Sequence, residues 1–338
     1  MSLGIFENEK ISMRQLEILI VANNLALGLI LLPELFFNGF VFNMLFLLFF
    51  LSAIVILDFK LIEWQEKNFL SGYVLKFIYG LLLIKIILSA SFELSLFMEI
   101  AKEFILPETN KFIVGLILFL AGNYLALKGY ETRARLCEIL VWLLILPLII
   151  FFVINLFSIK KIVYEDDFLF FDWKKIFDGI FIFSQLDYLF LLDFCDGREK
   201  KVERKKILRA VFFVWFAIFI LIYIMRLKIN FDMRLGILKF MSLTDLPGGF
   251  IQGQDFFVIS FVIVSFFILL AGKLFFIKKL FRNLSGKKSD LILSVIFIFN
   301  LISQKNLWLM IYLFGSLIYF LFLSLFVMKN IFRSGDLK

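Results

Sequence analysis

The sequence predicts an all-α polytopic membrane protein with ten transmembrane helices, and composition and patterning lead there. Of 338 residues, 62% are hydrophobic and 19% are charged, with a mean hydropathy of +0.98. A soluble domain of this length is about half apolar and about a quarter charged. The apolar residues also fall in long runs, not in the alternation of a bacterial β-barrel, whose spans never reach this hydropathy. At about 20 residues per span, the apolar content leaves room for roughly ten helices.

The runs read in order as 12–33, 36–57, 72–99, 111–128, 137–157, 177–195, 208–228, 254–273, 290–304 and 306–328. Residues 1–338 then form a single transmembrane domain. The first eleven residues carry Glu7, Glu9 and Lys10 and lead into a full-length span, so no removable leader is expected. With the N-terminus inside, 23 Lys and Arg fall in inside loops and 11 in outside loops. That two-to-one excess obeys the positive-inside rule and places both termini on the cytoplasmic side. The clusters 198–206 and 278–288 then anchor at anionic lipid headgroups. The formal charge of +8 is accounted for in this way, and no nucleic-acid partner is needed.

Absences exclude several kinds of chemistry. The chain has no His, the usual proton relay, metal ligand and general base. Its two Cys, Cys137 and Cys195, are too few for a zinc cluster or a disulfide framework. No phosphate loop, nucleophile–base pair or metal-ligand cluster is visible. The sequence therefore predicts no enzyme, no cofactor and no metal.

Ten spans divide at 158–176 into two halves of five, about 12–157 and 177–329. An odd number per half inverts the second half in the membrane. Inverted repeats mark secondary-transporter folds, whose substrate site is built from discontinuous helices in corresponding positions. The first and sixth spans are therefore expected to be broken. Span one carries Val21-Ala-Asn-Asn-Leu-Ala-Leu-Gly28, and span six carries Phe183-Ser-Gln-Leu-Asp187. A half-helix beginning near Ala26–Gly28 would point free N–H groups at a ligand carboxylate, with Asn23 and Asn24 lining the gap. The competing reading is that Asn23 and Asn24 hydrogen-bond to neighbouring helices. Asp187, beside Ser184 and Gln185, is a carboxylate at bilayer depth and a candidate acceptor for a ligand ammonium; it could equally be half of a buried structural pair.

Span three holds Lys85, Ser89 and Glu93. At about 100° per residue, Ser89 lies about 40° and Glu93 about 80° from Lys85, so the three share a face. Glu93 is about 12 Å along the axis from Lys85, which makes Asp187 across the cavity the better expected partner for Lys85. Lys76, near the inner end, reads as a snorkelling anchor. Pro147 is expected to kink span five. Span eight contributes only Ser260 and Ser265 as polar groups, a weak basis for a sodium site.

Several segments together are similar to one family. Ile11-Ser-Met-Arg-Gln-Leu16 followed by Ala26-Leu-Gly-Leu-Ile-Leu-Leu-Pro33, the turn Leu106-Pro-Glu-Thr-Asn110, and Tyr124-Leu-Ala-Leu-Lys-Gly-Tyr-Glu-Thr-Arg-Ala-Arg-Leu-Cys-Glu138 resemble the spore germination permeases, the B subunits of germinant receptors. The resemblance extends over essentially the whole chain. It implies a LeuT-like fold of the amino acid–polyamine–organocation superfamily, set in the inner membrane of the endospore. It implies a small-molecule germinant, often an amino acid, and two partners, a larger A subunit and a lipoprotein C subunit. The chain departs from the family pattern at Ala26, where a Gly is usual, and at Gln185 and Asp187, where Gly and Glu are usual. It also lacks the Pro often found later in span six. The alternative expectation is an active secondary transporter of amino acids or related solutes.

Overall fold

The computed structural model describes residues 11–35, 43–49, 52, 72–157, 204–228 and 254–285. Every regular element among them is helical. The long helices are α1 (Met13–Leu35), α2 (Gly72–Ile100), α3 (Lys111–Leu127), α4 (Tyr130–Phe157), α5 (Arg204–Lys228) and α6 (Gln254–Ser285). They correspond to the expected spans one, three, four, five, seven and eight. Residues 43–49, within the second span, are helical as well. The sixth, ninth and tenth spans and most of the second lie outside the described residues. Met13–Leu31, Tyr79–Ile105, Lys205–Met225 and Ile259–Arg282 are long and apolar enough to cross a membrane, and Lys111–Leu127 is a shorter apolar helix. Several such helices in one chain are what a multi-pass membrane protein requires.

The helix ends follow from local chemistry. Ser12 Oγ accepts from the Gln15 backbone N–H at 3.2 Å, and Gln15 Oε1 accepts from the Ser12 N–H at 3.0 Å. This reciprocal capping box satisfies two donors that would otherwise be orphaned at the start of α1. α2 runs on into a π-helical turn, Ala101–Ile105, closed by the Leu106 N–H on Ala101 O at 2.8 Å. Pro107 follows and cannot donate to continue the helix. Asn110 then caps α3, its Oδ1 accepting from the Phe112 N–H at 3.0 Å. α3 passes to α4 through Lys128 and Gly129. Gly129 has φ 95°, a left-handed conformation in which a Cβ would be strained.

Two helices are central. α1 packs against α5, α4 and α6, and α6 packs against α2, α3, α4 and α1. Lipid is as apolar as leucine, so helices in a membrane associate through close packing rather than a hydrophobic drive. The close approaches are visible. A Cβ on Gly122 of α3 would lie 3.6 Å from the Ala271 backbone N of α6, and one on Gly28 of α1 would lie 2.6 Å from Ile218 Cδ1 of α5. Gln15 also ties α1 to α4, its Nε2 donating to Glu138 Oε2 at 3.4 Å.

Three sequence expectations are corrected. α1 is one continuous helix, without the break expected at Ala26–Gly28. Helical order survives there because Asn24 Nδ2 donates to Ile20 O at 2.7 Å, one turn back, so the amide bonds along the helix instead of opening it. The inside loop expected at 128–136 is largely helical, since α4 begins at Tyr130. Span eight does not end at Lys273. α6 continues to Ser285, because Leu274-Phe-Phe-Ile277 resumes the apolar run after a single charge. Pro147 lies inside α4 without ending it.

Candidate functional site

The extension of α6 places a charge inside the helix packing. Lys273 lies fourteen residues after Ile259 and nine before Arg282 in the membrane-length stretch of α6. Glu93 lies fourteen residues after Tyr79 and twelve before Ile105 in that of α2. The two meet: Lys273 Nζ donates to Glu93 Oε1 and to Ser89 Oγ. Side-chain exposure is 3% for Lys273 and 2% for Glu93. Ser89 and Glu93 are four residues apart and so stand one turn apart on the same face of α2, which lets both oxygens reach one ammonium. Lys85, one turn before Ser89, is buried too.

The electrostatics of this cluster decide its significance. A charge near the centre of a bilayer costs a few kcal/mol or more. A buried pair recovers that cost only with good geometry and further hydrogen bonds, which the Ser89 hydroxyl helps to supply. Charges kept in such a place mark ligand or ion sites more often than they serve stability. Among the described residues no group of three or more His, Cys, Asp or Glu could hold a metal ion.

A further buried cation packs on α6 at Gly272, the residue before Lys273. Arg133 of α4 donates from Nη2 to Ile268 O at 3.4 Å. Its guanidinium stands over the rings of Tyr130 at 5.5 Å and Phe276 at 6.0 Å. It occupies the space that a side chain at Gly272 would take. Adjacent positions 272 and 273 thus admit Arg133 from the fifth span and send Lys273 to the third. The aromatic faces offset part of the cost of burying the guanidinium. Cys137, one turn further along α4, is buried and free.

The predicted site residues divide sharply. Lys85, Ser89 and Glu93 share one buried face, as their spacing required. Trp215 Nε1 of α5 donates to Asn24 Oδ1 at 3.0 Å, and both residues are fully buried. That bond is a contact with a neighbouring helix of the kind the competing reading described. Ala26 is fully buried, and Gly28 faces Ile218 in a helix contact, so neither offers free N–H groups to a ligand. Asn23 keeps an acceptor: its buried Oδ1 has no hydrogen-bond partner among the described residues. Ser265 Oγ is in the same position. Ser184, Gln185 and Asp187 lie outside the described residues, so the expected pairing of Lys85 with Asp187 does too.

Lys273, Trp215 and Arg133 did not stand out in the sequence. For Lys273 a signal existed, since four strongly apolar residues follow it. Ending the span at the first charge assigned it to a loop. Moving it into the span leaves the positive-inside excess at 22 against 11. No family model matches the chain, and no curated protein is significantly similar to it. The resemblance to germination permeases therefore rests on the motifs given above.

Proposed function

We propose that the chain is a transporter-like, ligand-sensing subunit of a spore germinant receptor, with ten spans in two inverted halves. The observation that carries this reading is the Lys273–Glu93–Ser89 cluster, set midway along two membrane-length helices. The packing of α2 on α6 adds support, because a five-plus-five repeat makes spans three and eight counterparts. Two of the motifs behind the resemblance also meet in the fold, through Gln15 and Glu138.

In this reading the ligand is a small zwitterion such as an amino acid. Asn23, Lys85, Ser89 and Glu93 line the site from the first half, with Lys273 joining from the eighth span. Ser184, Gln185 and Asp187 complete it from the sixth. The continuous α1 belongs to the unliganded state. Binding shifts the population between states of the bundle, and the A and C subunits in the spore inner membrane read that shift.

The test is ligand-dependent thermal stabilisation of the purified chain across the common amino acids. At least one amino acid is expected to raise Tm in the wild type and not in Glu93→Gln/Lys273→Met. Stabilisation that survives in the double variant would sink the site. The fixed intramembrane charges also fit a second reading, active secondary transport. Gradient-driven uptake by this chain alone in reconstituted vesicles would select it.

A further inference from the structure

We propose that the exposed face of α3 is fitted to a thin bilayer: it docks on phospholipids whose acyl chains are shorter than those of an average membrane, and presents an ammonium to their phosphates at each end. This does not depend on what the bundle binds inside.

Packing decides which face is left over. α3 turns Gly115 onto Met98 and Leu94 of α2, and Gly122 onto Ala271 and Leu274 of α6. With those contacts made, Ile113, Leu116, Ile117, Leu120, Tyr124 and Leu127 remain exposed. At about 100° per residue the six fall within an arc of about 100°, so they form one stripe along the helix. The neighbouring α2 has a longer membrane-length stretch, but most of it is buried inside the bundle, so α3 meets the lipid on this side.

Length then selects the lipid. α3 has 17 residues, a rise of about 26 Å. The stripe from Ile113 to Leu127 covers about 21 Å, whereas the hydrocarbon core of an average bilayer is about 30 Å thick. Neither end can lengthen the stripe. Pro107, Glu108 and Asn110 are exposed before it, and Lys128, Thr132 and Arg135 after it. The lysines do not reach outward either. Lys128 Nζ folds back over the Tyr124 ring, 5.2 Å from its centroid, and Lys111 Nζ lies 5.4 Å from that of Phe112. Lysine beside an aromatic ring marks a membrane interface, and here the two marks are only about 26 Å apart along the helix. Tilting would shorten the reach of such a span further, so the bilayer adapts by thinning.

Melting of the full chain in nanodiscs of phosphatidylcholines with monounsaturated chains of increasing length tests this. The series is dimyristoleoyl, dipalmitoleoyl, dioleoyl and dierucoyl. The wild type is expected to have its highest Tm in one of the two shortest, and to melt lower by about 3 °C or more in dierucoyl. Lys111→Leu/Lys128→Leu lengthens the apolar stretch at both ends and is expected to move the optimum to a longer lipid. Ile113→Ser/Leu127→Ser shortens it and is expected to lose more Tm in dierucoyl than in dimyristoleoyl. A wild-type optimum in dioleoyl or dierucoyl overturns the proposal, and so does an optimum that stays in place in the lengthened variant. A Tm independent of chain length would give the face to another protein helix and overturns it too. If the lengthened variant does not accumulate, the serine pair decides, and equal losses in all four lipids overturn the proposal.

Discussion

Lys273 on α6 is buried against Glu93 on α2, 180 residues away in the sequence, and Ser89 one turn back shares the same ammonium. The pair couples two membrane-length helices at their middles. Removing either partner alone takes away half of a buried ion pair. We expect Lys273→Met and Glu93→Gln each to destabilise the protein by about 3 kcal/mol or more. The double variant should lose less than the sum of the two. A double-mutant cycle on Tm in detergent checks this, and additive losses would show that the two groups do not interact.

Gly272 should be intolerant of any side chain. A Cβ there would overlap the Arg133 guanidinium, whereas one at Gly80 meets nothing within 4 Å. Gly272→Val is expected to cost about 1–3 kcal/mol through overpacking. Gly80→Ala should be neutral, or stabilising by up to about 1 kcal/mol through helix propensity. Comparing the melting of the two proteins separates this local clash from a general sensitivity of glycines to substitution.

Trp215 and Asn24 join α5 to α1 by a buried hydrogen bond of 3.0 Å. Trp215→Phe removes the donor of this buried bond, at an expected cost of about 1–3 kcal/mol. Ligand-induced stabilisation should keep its concentration dependence in this variant, because Asn24 serves packing. A shifted ligand midpoint in Trp215→Phe would return Asn24 to the ligand site.

The Ser12–Gln15 capping box gives the first quoted motif a physical role. Ser12→Ala should lower stability by about 1 kcal/mol. Gln15→Leu should cost more, because Gln15 also reaches Glu138 on α4. An effect of Gln15→Leu no larger than that of Ser12→Ala would remove the α1–α4 tie from the account.

The helical class, the starts of α1 and α3 and the shared face of Lys85, Ser89 and Glu93 were legible in the sequence. Each depends on near neighbours: a capping residue, a proline after the helix, a spacing of four. Partners were not legible. Glu93 meets Lys273, and Asn24 meets Trp215, through contacts that only the packing of distant helices decides. The break expected in α1 failed for the same reason. Asn23, Asn24 and Gly28 are poor helix formers in isolation. In the fold, Asn24 bonds back to Ile20 and across to Trp215, while Gly28 lets Ile218 approach. Propensity gave way to tertiary contact. Lys273 was misplaced because a charge was read as the end of a span, although the apolar run resumes at Leu274.

The most direct test of the central claim is the germination dose–response of spores carrying Glu93→Gln/Lys273→Met, compared with wild type at matched amounts of the protein in the membrane. The double variant removes both charges of the pair together, so its phenotype reports on the site more than on the loss of half of a buried pair. The account predicts that the ligand concentration needed for half-maximal germination rises by about tenfold or more, equivalent to about 1.4 kcal/mol of lost binding. An unchanged dose–response at equal protein amounts would contradict it.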